Sequence, residues 1–368
     1  MAIADEPLKF SMEDLLRITV ERGASDLHLT VGLPPMLRIS GRLMPTEFKR
    51  LVPDDTKRLI YSILNDKQKE AFEKNWELDC SHGVRGFGRF RINVYRQRGV
   101  VGAALRAIAS NIPTREELNL PKVLEDIVMK PHGLILVTGA TGMGKSTTLA
   151  CMLDVINSTR ANHVITIEDP IEYIHPHKKS MFNQRELGHD TQNWHNALRA
   201  VLREDPDVIL VGEMRDLETI SGTLTAAETG HLVFSTLHTS DASQTIDRII
   251  DVFPPHQQQQ IRIQLASTLE AVISQRLIPH ASGMGRVPSV ELMLGTAAMK
   301  HLIRDGKTHQ LYNMLQTGSK YGMQTMEQAL FQLYLDKQIT LEEAMNNTIH
   351  PEELRRMVEG KEDKEKKK

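Results

Sequence analysis

The sequence predicts an α/β protein with about two domains, and three observations lead to this prediction. The chain has 368 residues, of which 40% are apolar and 25% charged, so it is long enough for two cores. The first hundred residues contain stretches with the two-residue period of β-strands, separated by helical segments. Further along, apolar strands alternate with helices, which is typical of a mainly parallel sheet with helices on both faces.

Residues 1–109 are predicted to form a small α+β domain. The predicted elements, in chain order, are a helix at 12–22, a strand at 26–31, a hairpin with its turn at Ser40 and Gly41, helices at 53–65 and 66–75, and a hairpin at 89–108. In the second hairpin, apolar residues alternate with arginine and asparagine, and the turn is expected between Arg98 and Gly99.

The second half of the chain has a different rhythm. Residues 110–118 interrupt the pattern and are predicted to be a linker, and residues 119–360 are predicted to form the second domain. Its predicted strands are 134–138, 164–167, 208–211 and 232–235. From residue 254 onward helical periodicity dominates, and residues 361–368, KEDKEKKK, are predicted to be a disordered charged tail.

Charge and cysteine content argue against several classes of protein. With 45 basic and 47 acidic side chains the net charge is −2, so no overall field attracts a polyanion and nucleic-acid binding is not expected. The only two cysteines, Cys80 and Cys151, lie too far apart for a CxxC pair, which argues against a disulfide framework or a four-cysteine zinc site. Without a signal segment or an apolar run of roughly 20 residues, we expect a cytoplasmic protein without direct membrane insertion.

Residues 139–146 read GATGMGKS, a complete phosphate-binding loop directly after an apolar strand. Its glycines let backbone N–H groups turn toward phosphates, Lys145 reaches the β and γ phosphates, and Ser146 offers a hydroxyl to Mg²⁺. The helix that follows points its positive end at the same anion. The predicted ligand is therefore ATP with Mg²⁺. The predicted ATP-binding residues are Gly139, Ala140, Thr141, Gly142, Met143, Gly144, Lys145, Ser146 and Thr147.

Two carboxylates follow apolar strands, and together with the loop they are predicted to form a site for ATP hydrolysis. Glu213 ends the run VILVGE, a Walker B arrangement with Glu in place of the usual Asp, and is predicted to hold Mg²⁺ together with Ser146. Glu168 ends another strand and is predicted to accept the proton of the attacking water. The alternative for Glu213 is an exposed acid after a buried strand. For Asp169 and Glu172 the alternative is that they are solvated loop acids.

One histidine stands on each side of the strand at 232–235. His238 follows it, on the side where ligand is expected, and His231 precedes it; both are candidates to contact the γ phosphate or the base. A histidine beside a strand is more often a structural hydrogen-bonding residue. His231 is therefore the weaker candidate.

Arg91 and Arg106 are predicted to face each other across the second hairpin, because 91 and 106 add to the same total as 98 and 99. Two adjacent guanidinium groups repel unless an anion lies between them, which anticipates a phosphate. Since they belong to the first domain, we expect them to act in trans on the ATP of a neighbouring subunit, which requires a ring. The alternative is a pair of solvated surface arginines.

Four landmarks stand together in the second domain: GATGMGKS, TIEDPIE at 166–172, LREDPDVILVGEMRDLET at 202–219 and TGHLVFSTLHT at 229–239. Their order resembles the type II/type IV secretion ATPase superfamily. Further segments along almost the whole chain, including SDLHL at 25–29, RFRIN at 89–93 and HLIRDG at 301–306, look like the type IV pilus retraction ATPases of the PilT type.

This resemblance implies a PAS-like α+β amino-terminal domain joined to a RecA-like P-loop ATPase domain with a helical carboxyl-terminal region, assembled as a homo-hexamer. It implies that Glu168 is the catalytic glutamate, Glu213 the Walker B carboxylate, and Arg91 and Arg106 the trans-acting arginines. The implied function is an ATP-hydrolysing motor for pilus retraction and twitching motility, held peripherally at the inner membrane by a pilus platform protein.

Two details of the sequence qualify the resemblance. HLIRDG matches the carboxyl-terminal retraction motif of the family, but residues 297–300, AAMK, stand where an AIR-like sequence is usual. Pilus assembly and type II secretion ATPases carry a four-cysteine zinc module, which two cysteines cannot form.

An accessory retraction ATPase paralogue, acting mainly as a nucleotide-gated binding subunit, remains an alternative and a possible partner. A nucleic-acid translocase is the other alternative, disfavoured by the near-neutral charge.

Overall fold

Two β-sheets organise the chain in the computed structural model, which describes residues 9–39, 41–84, 88–108 and 111–366, with the backbone alone for 362–366. The chain divides into two units. One comprises Met1–Asn111 with Glu172–Ile174, and the other comprises Ile112–Ile171 with His175–Lys368. The division after Asn111 falls within the predicted linker, of which residue 110 lies outside the described residues.

The first unit contains an antiparallel sheet of six strands in the order β3-β2-β1-β6-β5-β4. Its strands are β1 Asp26–Leu29, β2 Met36–Ile39, β3 Arg42–Pro45, β4 Glu77–Val84, β5 Gly88–Gln97 and β6 Val100–Ile108. Its helices are α1 Met12–Glu21, α2 Pro53–Tyr61 and α3 Asp66–Asn75. Among the described elements of this unit, only β4 has no counterpart among the predicted elements, because this edge strand is too polar to show apolar alternation. The first predicted turn involves Ser40, which lies outside the described residues.

The hairpin of β5 and β6 has the predicted register. Arg98 and Gly99 both have positive φ, 50° and 79°, the combination of a two-residue hairpin turn whose twist matches the strands. Gln97 therefore pairs with Val100, and the register places Arg91 opposite Arg106. The predicted cross-strand pairing of the two arginines is confirmed.

The second unit is built on a seven-stranded sheet in the order β13-β12-β7-β11-β10-β8-β9, parallel except for β13. Its strands are β7 Gly133–Thr138, β8 His163–Glu168, β9 Met181–Glu186, β10 Val208–Val211, β11 Leu232–Leu237, β12 Leu269–Pro279 and β13 Arg286–Leu294. Its first helices are α4 Val123–Val128, α5 Lys145–Thr159, α6 Trp194–Val201, α7 Leu217–Glu228, α8 Ala242–Asp251 and α9 Pro255–Thr268. Buried apolar side chains pack on both faces of this sheet. The predicted α/β class is confirmed.

The helical prediction beyond residue 254 is wrong for residues 269–294, which form β12 and β13. The segment 269–278 contains the buried residues Leu269, Val272, Ile273 and Ile278, and β12 pairs in parallel with the phosphate-loop strand β7. A fully buried strand has a continuous apolar run, which periodicity alone does not distinguish from a buried helix.

Helices follow the sheet to the end of the described chain: α10 Ala297–Arg304, α11 Leu311–Gln316, α12 Met326–Leu335, α13 Leu341–Asn346 and α14 Pro351–Lys366. Helix α14 continues through residues 361–366, so the prediction of disorder is wrong for these residues. Lysine and glutamate are good helix formers. The apolar side chains of Leu354 and Val358 in the first turns of the helix are buried. None of the helices in the described part of the chain is long and apolar enough to cross a membrane.

Candidate nucleotide-binding and catalytic site

Four parallel strands bring the phosphate-binding loop, Glu168, Glu213 and His238 to one edge of the second sheet. In the register of the sheet, Val211 pairs with Ile167 and Ser235, and Leu237 pairs with Thr138. The segments that leave β7, β8, β10 and β11 at their carboxyl ends therefore meet at this edge, where open α/β sheets bind ligands.

The phosphate-binding loop has a backbone that requires glycine. Gly139, Gly142 and Gly144 have φ values of 140°, 80° and 82°. A Cβ atom at Gly139 would lie 2.4 Å from the carbonyl oxygen of Gln275, so no side chain fits there. Gly144 is the N-cap of α5, and the loop thus delivers its backbone N–H groups to the positive end of that helix.

Lys145 is almost fully buried and held by the loop itself. Its Nζ donates to the carbonyl oxygens of Gly139 at 2.8 Å and Ala140 at 3.1 Å, and lies 3.5 Å from Nδ1 of His238. An ammonium group beside a glycine-rich loop and a helix N-terminus forms a compact positive site for an anion. Phosphate oxygens match this arrangement of donors.

Glu213 lies just beyond β10 and is linked to His238. Its two oxygens pair with Nε2 of His238 at 2.9 Å and with a guanidinium nitrogen of Arg215 at 2.8 Å. Burial alone raises the pKa of Glu213, but the hydrogen bonds and positive charges of Arg215 and His238 outweigh burial and lower its pKa below the usual value. Glu213 is therefore an ionised carboxylate connected through His238 to Lys145.

Glu168 ends β8 at the same edge of the sheet. Its Oε1 accepts hydrogen bonds from Thr166 Oγ1 at 2.6 Å and from Gln184 Nε2 at 3.2 Å. Its side chain is half-buried, whereas Asp169 and Glu172 are exposed. Of the three acids in the segment, Glu168 is thus the one that the structure partly buries.

Comparison with known proteins identifies the family. The sequence pattern of the family described as Type II/IV secretion system protein matches residues 114–349 of this chain. The chain belongs to this family of secretion ATPases. The chain is 50% identical over 339 residues to the type IV pilus retraction ATPase PilT of Pseudomonas aeruginosa, covering 92% of this chain and 98% of PilT.

Another pilus ATPase and a solved structure of PilT are also similar to this chain over most of its length. The type IV pilus ATPase PilU of the same organism is 42% identical, over 94% of this chain and 91% of its own length. A crystal structure of the pilus retraction motor PilT with bound ADP is 51% identical and superposes with a TM-score of 0.88, covering 95% of this chain and 100% of that one. The resemblance to retraction ATPases inferred from the motifs is confirmed, as are the fold class and the assignment as an ATPase.

His231 does not lie at the site of this secretion-family ATPase. It precedes β11, so it lies at the opposite edge of the sheet, a strand of six residues away from His238. Its carbonyl accepts from the N–H of Gly133, where β7 begins, and its Nδ1 is 2.9 Å from the carbonyl oxygen of Ala226. Within one chain the predicted role of His231 at the γ phosphate has no support from the geometry, because the two ends of a six-residue strand lie about 17–20 Å apart.

Arg91 and Arg106 are both exposed on the sheet of the first unit, and an acid of the same sheet pairs with one of them. Nε of Arg106 donates to Oδ1 of Asp26 at 2.8 Å. Burial raises the pKa of Asp26, but hydrogen bonds from Ser25 and Arg106 outweigh it, so its pKa is lowered overall. The anion beside Arg106 within the chain is therefore a carboxylate, which the sequence analysis does not anticipate.

Sequence reasoning missed Gln275, which holds the phosphate-binding loop from the neighbouring strand β12. Its Nε2 donates to the carbonyl oxygen of Met143 at 2.8 Å, and its Oε1 accepts from Thr148 Oγ1 at 2.6 Å. Gln275 is 3% exposed. A glutamine in the middle of the apolar run AVISQRLI was the available signal, because a buried amide requires partners.

The oxygen donors near the loop fit Mg²⁺. Among the described residues no group of three or more histidine, cysteine, aspartate or glutamate side chains forms a metal cage. Mg²⁺ bound with a nucleotide usually takes only one or two protein ligands beside phosphates and water. The hydroxyl of Ser146, in the first turn of α5, and the ionised carboxylate of Glu213 are of this kind.

Proposed function

We propose that this chain is the subunit of a homo-hexameric ATPase ring that powers type IV pilus retraction. The observation that supports this most directly is the array of Lys145, His238, Glu213 and Glu168 at one edge of the sheet, in a chain 50% identical to a retraction ATPase over 92% of its length. Hydrolysis would deliver the work that depolymerises the pilus and produces twitching motility.

ATP binds with its phosphates in the loop of residues 139–146 and against Thr147. Lys145 exchanges the carbonyl oxygens of Gly139 and Ala140 for the β and γ phosphates. Ser146 and Glu213 would hold Mg²⁺, which would supply positive charge to the phosphates. His238 keeps Glu213 oriented and stands beside Lys145, where it can contact the γ phosphate.

Glu168 acts as the general base in this proposal. It takes a proton from water as the water oxygen bonds to the γ phosphorus and the bond from that phosphorus to the β–γ bridging oxygen breaks. The products are ADP and inorganic phosphate. Water attack needs a carboxylate held at a fixed position, and the hydrogen bonds from Thr166 and Gln184 provide this.

Arg91 and Arg106 complete the site of a neighbouring subunit. Two exposed guanidinium groups opposite each other on one hairpin present a positive surface suited to a triphosphate. Asp26 orients one of them through the bond to Arg106. Positive charge supplied in trans to a transferring phosphoryl group is a recurrent way to accelerate hydrolysis.

The partners that follow from this function are the other subunits of the ring, an inner-membrane pilus platform protein and, as a second retraction ATPase, a PilU-like paralogue. The ring would act in the cytoplasm, peripherally at the inner membrane. Nucleic acid is not a partner in this proposal, and added DNA is expected to leave the hydrolysis rate unchanged.

Glu168→Gln tests the central assignment. The amide keeps the shape of the side chain but cannot accept a proton, so we expect turnover to fall by about 100-fold or more while ATP binding persists. Purified protein is assayed for phosphate release and for binding of a fluorescent ATP analogue. Glu172→Gln, the same change at an exposed acid four residues along, is expected to retain turnover. An unchanged rate in Glu168→Gln would contradict the assignment of the base.

A further inference from the structure

Strand β9 contacts the segment that follows Glu168. The side chains of β9 at positions 182, 184 and 186 share one face of the strand, because side chains alternate along a strand. Phe182 stacks on the ring of His175 with centroids 4.6 Å apart, and Glu186 accepts a hydrogen bond from the backbone N–H of Ile171 at 3.3 Å. The loop from β8 to β9 is thus attached at two points to one face of the strand.

Gln184 lies between these two attachments and reaches Glu168. The register of the parallel pair β8 and β9 places Gln184 directly beside Thr166. Both side chains donate to the same atom, Oε1 of Glu168, at 3.2 Å and 2.6 Å. The two donors come from adjacent strands of the sheet, which are more rigid than loops.

The orientation of the Gln184 amide is fixed by a third bond. Its Oε1 accepts from the backbone N–H of His175 at 2.8 Å, and a backbone N–H is only a donor. The carbonyl side of the amide must therefore face His175, and the NH₂ side must face Glu168. The side chain of Gln184 thus contacts the loop at His175 and also orients the carboxylate of Glu168, where the loop begins.

We propose that Gln184 and Thr166 are positioning residues for hydrolysis, holding the carboxylate of Glu168 in one orientation toward the attacking water. This inference rests on the proposed role of Glu168 as the base. Two hydrogen bonds to one oxygen fix the plane of the carboxylate and stabilise its ionised form. Their loss affects the chemical step and leaves the phosphate-binding loop unchanged.

The groups around Glu168 allow its titration to be followed. Burial lowers the pKa of His175 to about 4, so the loop anchor stays neutral in the working range of pH. The titratable groups on the neighbouring strands and loops include Asp169, Glu172, Arg185, Glu186 and Asp190 and, beyond β10, Glu213 with Arg215 and with His238, which lies beside Lys145. All of these are retained in the variants below. Thr166→Val adds no titratable group, so a shift of the acid limb in that variant reflects the carboxylate that has lost a donor, and it is compared with the shift in Gln184→Glu.

Gln184→Glu is the sharpest test. Glutamate keeps the acceptor for His175 but replaces the donor to Glu168 by a second carboxylate. We expect kcat to fall about tenfold, KM for ATP to stay within about twofold, and the acid limb of the pH–rate profile to move up by about one pH unit. Asn183→Asp adds the same charge to the opposite, exposed face of β9 and is expected to change none of these quantities.

Thr166 provides an independent pair of variants. Thr166→Val removes the hydroxyl with little change of shape, and Thr166→Ser keeps it. We expect a lower kcat with the acid limb moved up for the valine variant, and recovery of most of the loss with serine. Thermal unfolding of each variant reports any loss of folded structure separately.

The outcomes separate this inference from the proposed function. Unchanged kcat and pH profiles in Gln184→Glu and Thr166→Val, with turnover lost in Glu168→Gln, would overturn the positioning role and leave the base in place. Equal losses in Thr166→Val and Thr166→Ser would also overturn it, because only packing would then matter. Full turnover in Glu168→Gln would instead overturn the proposed base itself.

Discussion

At the scale of single residues, buried polar groups of this ATPase are fixed by backbone donors. Glu291 on β13 is 1% exposed and accepts hydrogen bonds from the N–H of Ala242, the first residue of α8, at 2.8 Å and from that of Met326, the first residue of α12. Burial raises the pKa of Glu291 to about 7, against these bonds, and the charges of Asp241 and Glu327 act in the same direction as burial. One carboxyl group thus caps two helices.

The raised pKa makes the stability of the fold depend on pH. The folded protein holds the Glu291 proton more tightly than the unfolded chain, so this stabilisation is fully present below pH 4.5 and is lost as pH rises through about 7. Relative to Glu291→Gln, the wild-type free energy of unfolding should fall by up to about 3 kcal/mol between pH 5 and pH 8. Denaturant unfolding at several pH values measures it. A pH-independent difference would contradict the titration.

At the scale of elements, the phosphate-binding loop depends on strand β12 as much as on its own sequence. Gln275 connects the loop at Met143 with helix α5 at Thr148, and the backbone of the same residue leaves no room for a side chain at Gly139. The strand that sequence reasoning did not predict therefore shapes the loop that it predicted best.

Gln275→Met tests this connection. Methionine has a similar length but no amide, so the carbonyl of Met143 and the hydroxyl of Thr148 lose a partner. We expect a loss of about 1–3 kcal/mol in stability and weaker ATP binding. Thermal unfolding with and without ATP measures both, and Gln260→Met, at an exposed position of α9, serves as the control. Equal unfolding temperatures and ATP affinities in the two variants would show that the contact does not hold the loop.

At the scale of the whole molecule, the proposed site needs more than one chain. Arg91 and Arg106 belong to the first unit, and the phosphate-binding loop belongs to the second. In the proposed ring, each chain would supply a loop to one site and arginines to another. In a mixed ring, a chain without a working loop would inactivate one site, and a chain without the arginines would inactivate a different one.

Mixing variants tests this directly. Arg91→Ala removes the contribution in trans and Lys145→Ala removes the phosphate grip, so rings of either variant alone should be inactive. In rings reassembled from both, some sites combine an intact loop with an intact arginine from the neighbour. We expect partial recovery of ATP hydrolysis at equal mixing. Activity no greater than the average of the separate variants would contradict action in trans.

The sequence by itself determined the features that depend on short spacing. The loop at residues 139–146, the carboxylates Glu168 and Glu213 at strand ends, and the pairing of Arg91 with Arg106 all follow from residues within about twenty positions of one another. Periodicity of this kind is local, and it fixed the fold class and the edge of the sheet where ligand binds.

Only the tertiary structure decided which distant side chains meet. Gln275 lies 127 residues from Thr148, and His238 lies 93 residues from Lys145, yet each pair is in contact. The same sheet placed His231 at the far edge and Gln184 beside Thr166. Such contacts depend on strand order, and strand order is set by the burial of apolar faces across the whole sheet, which no local pattern in the sequence records.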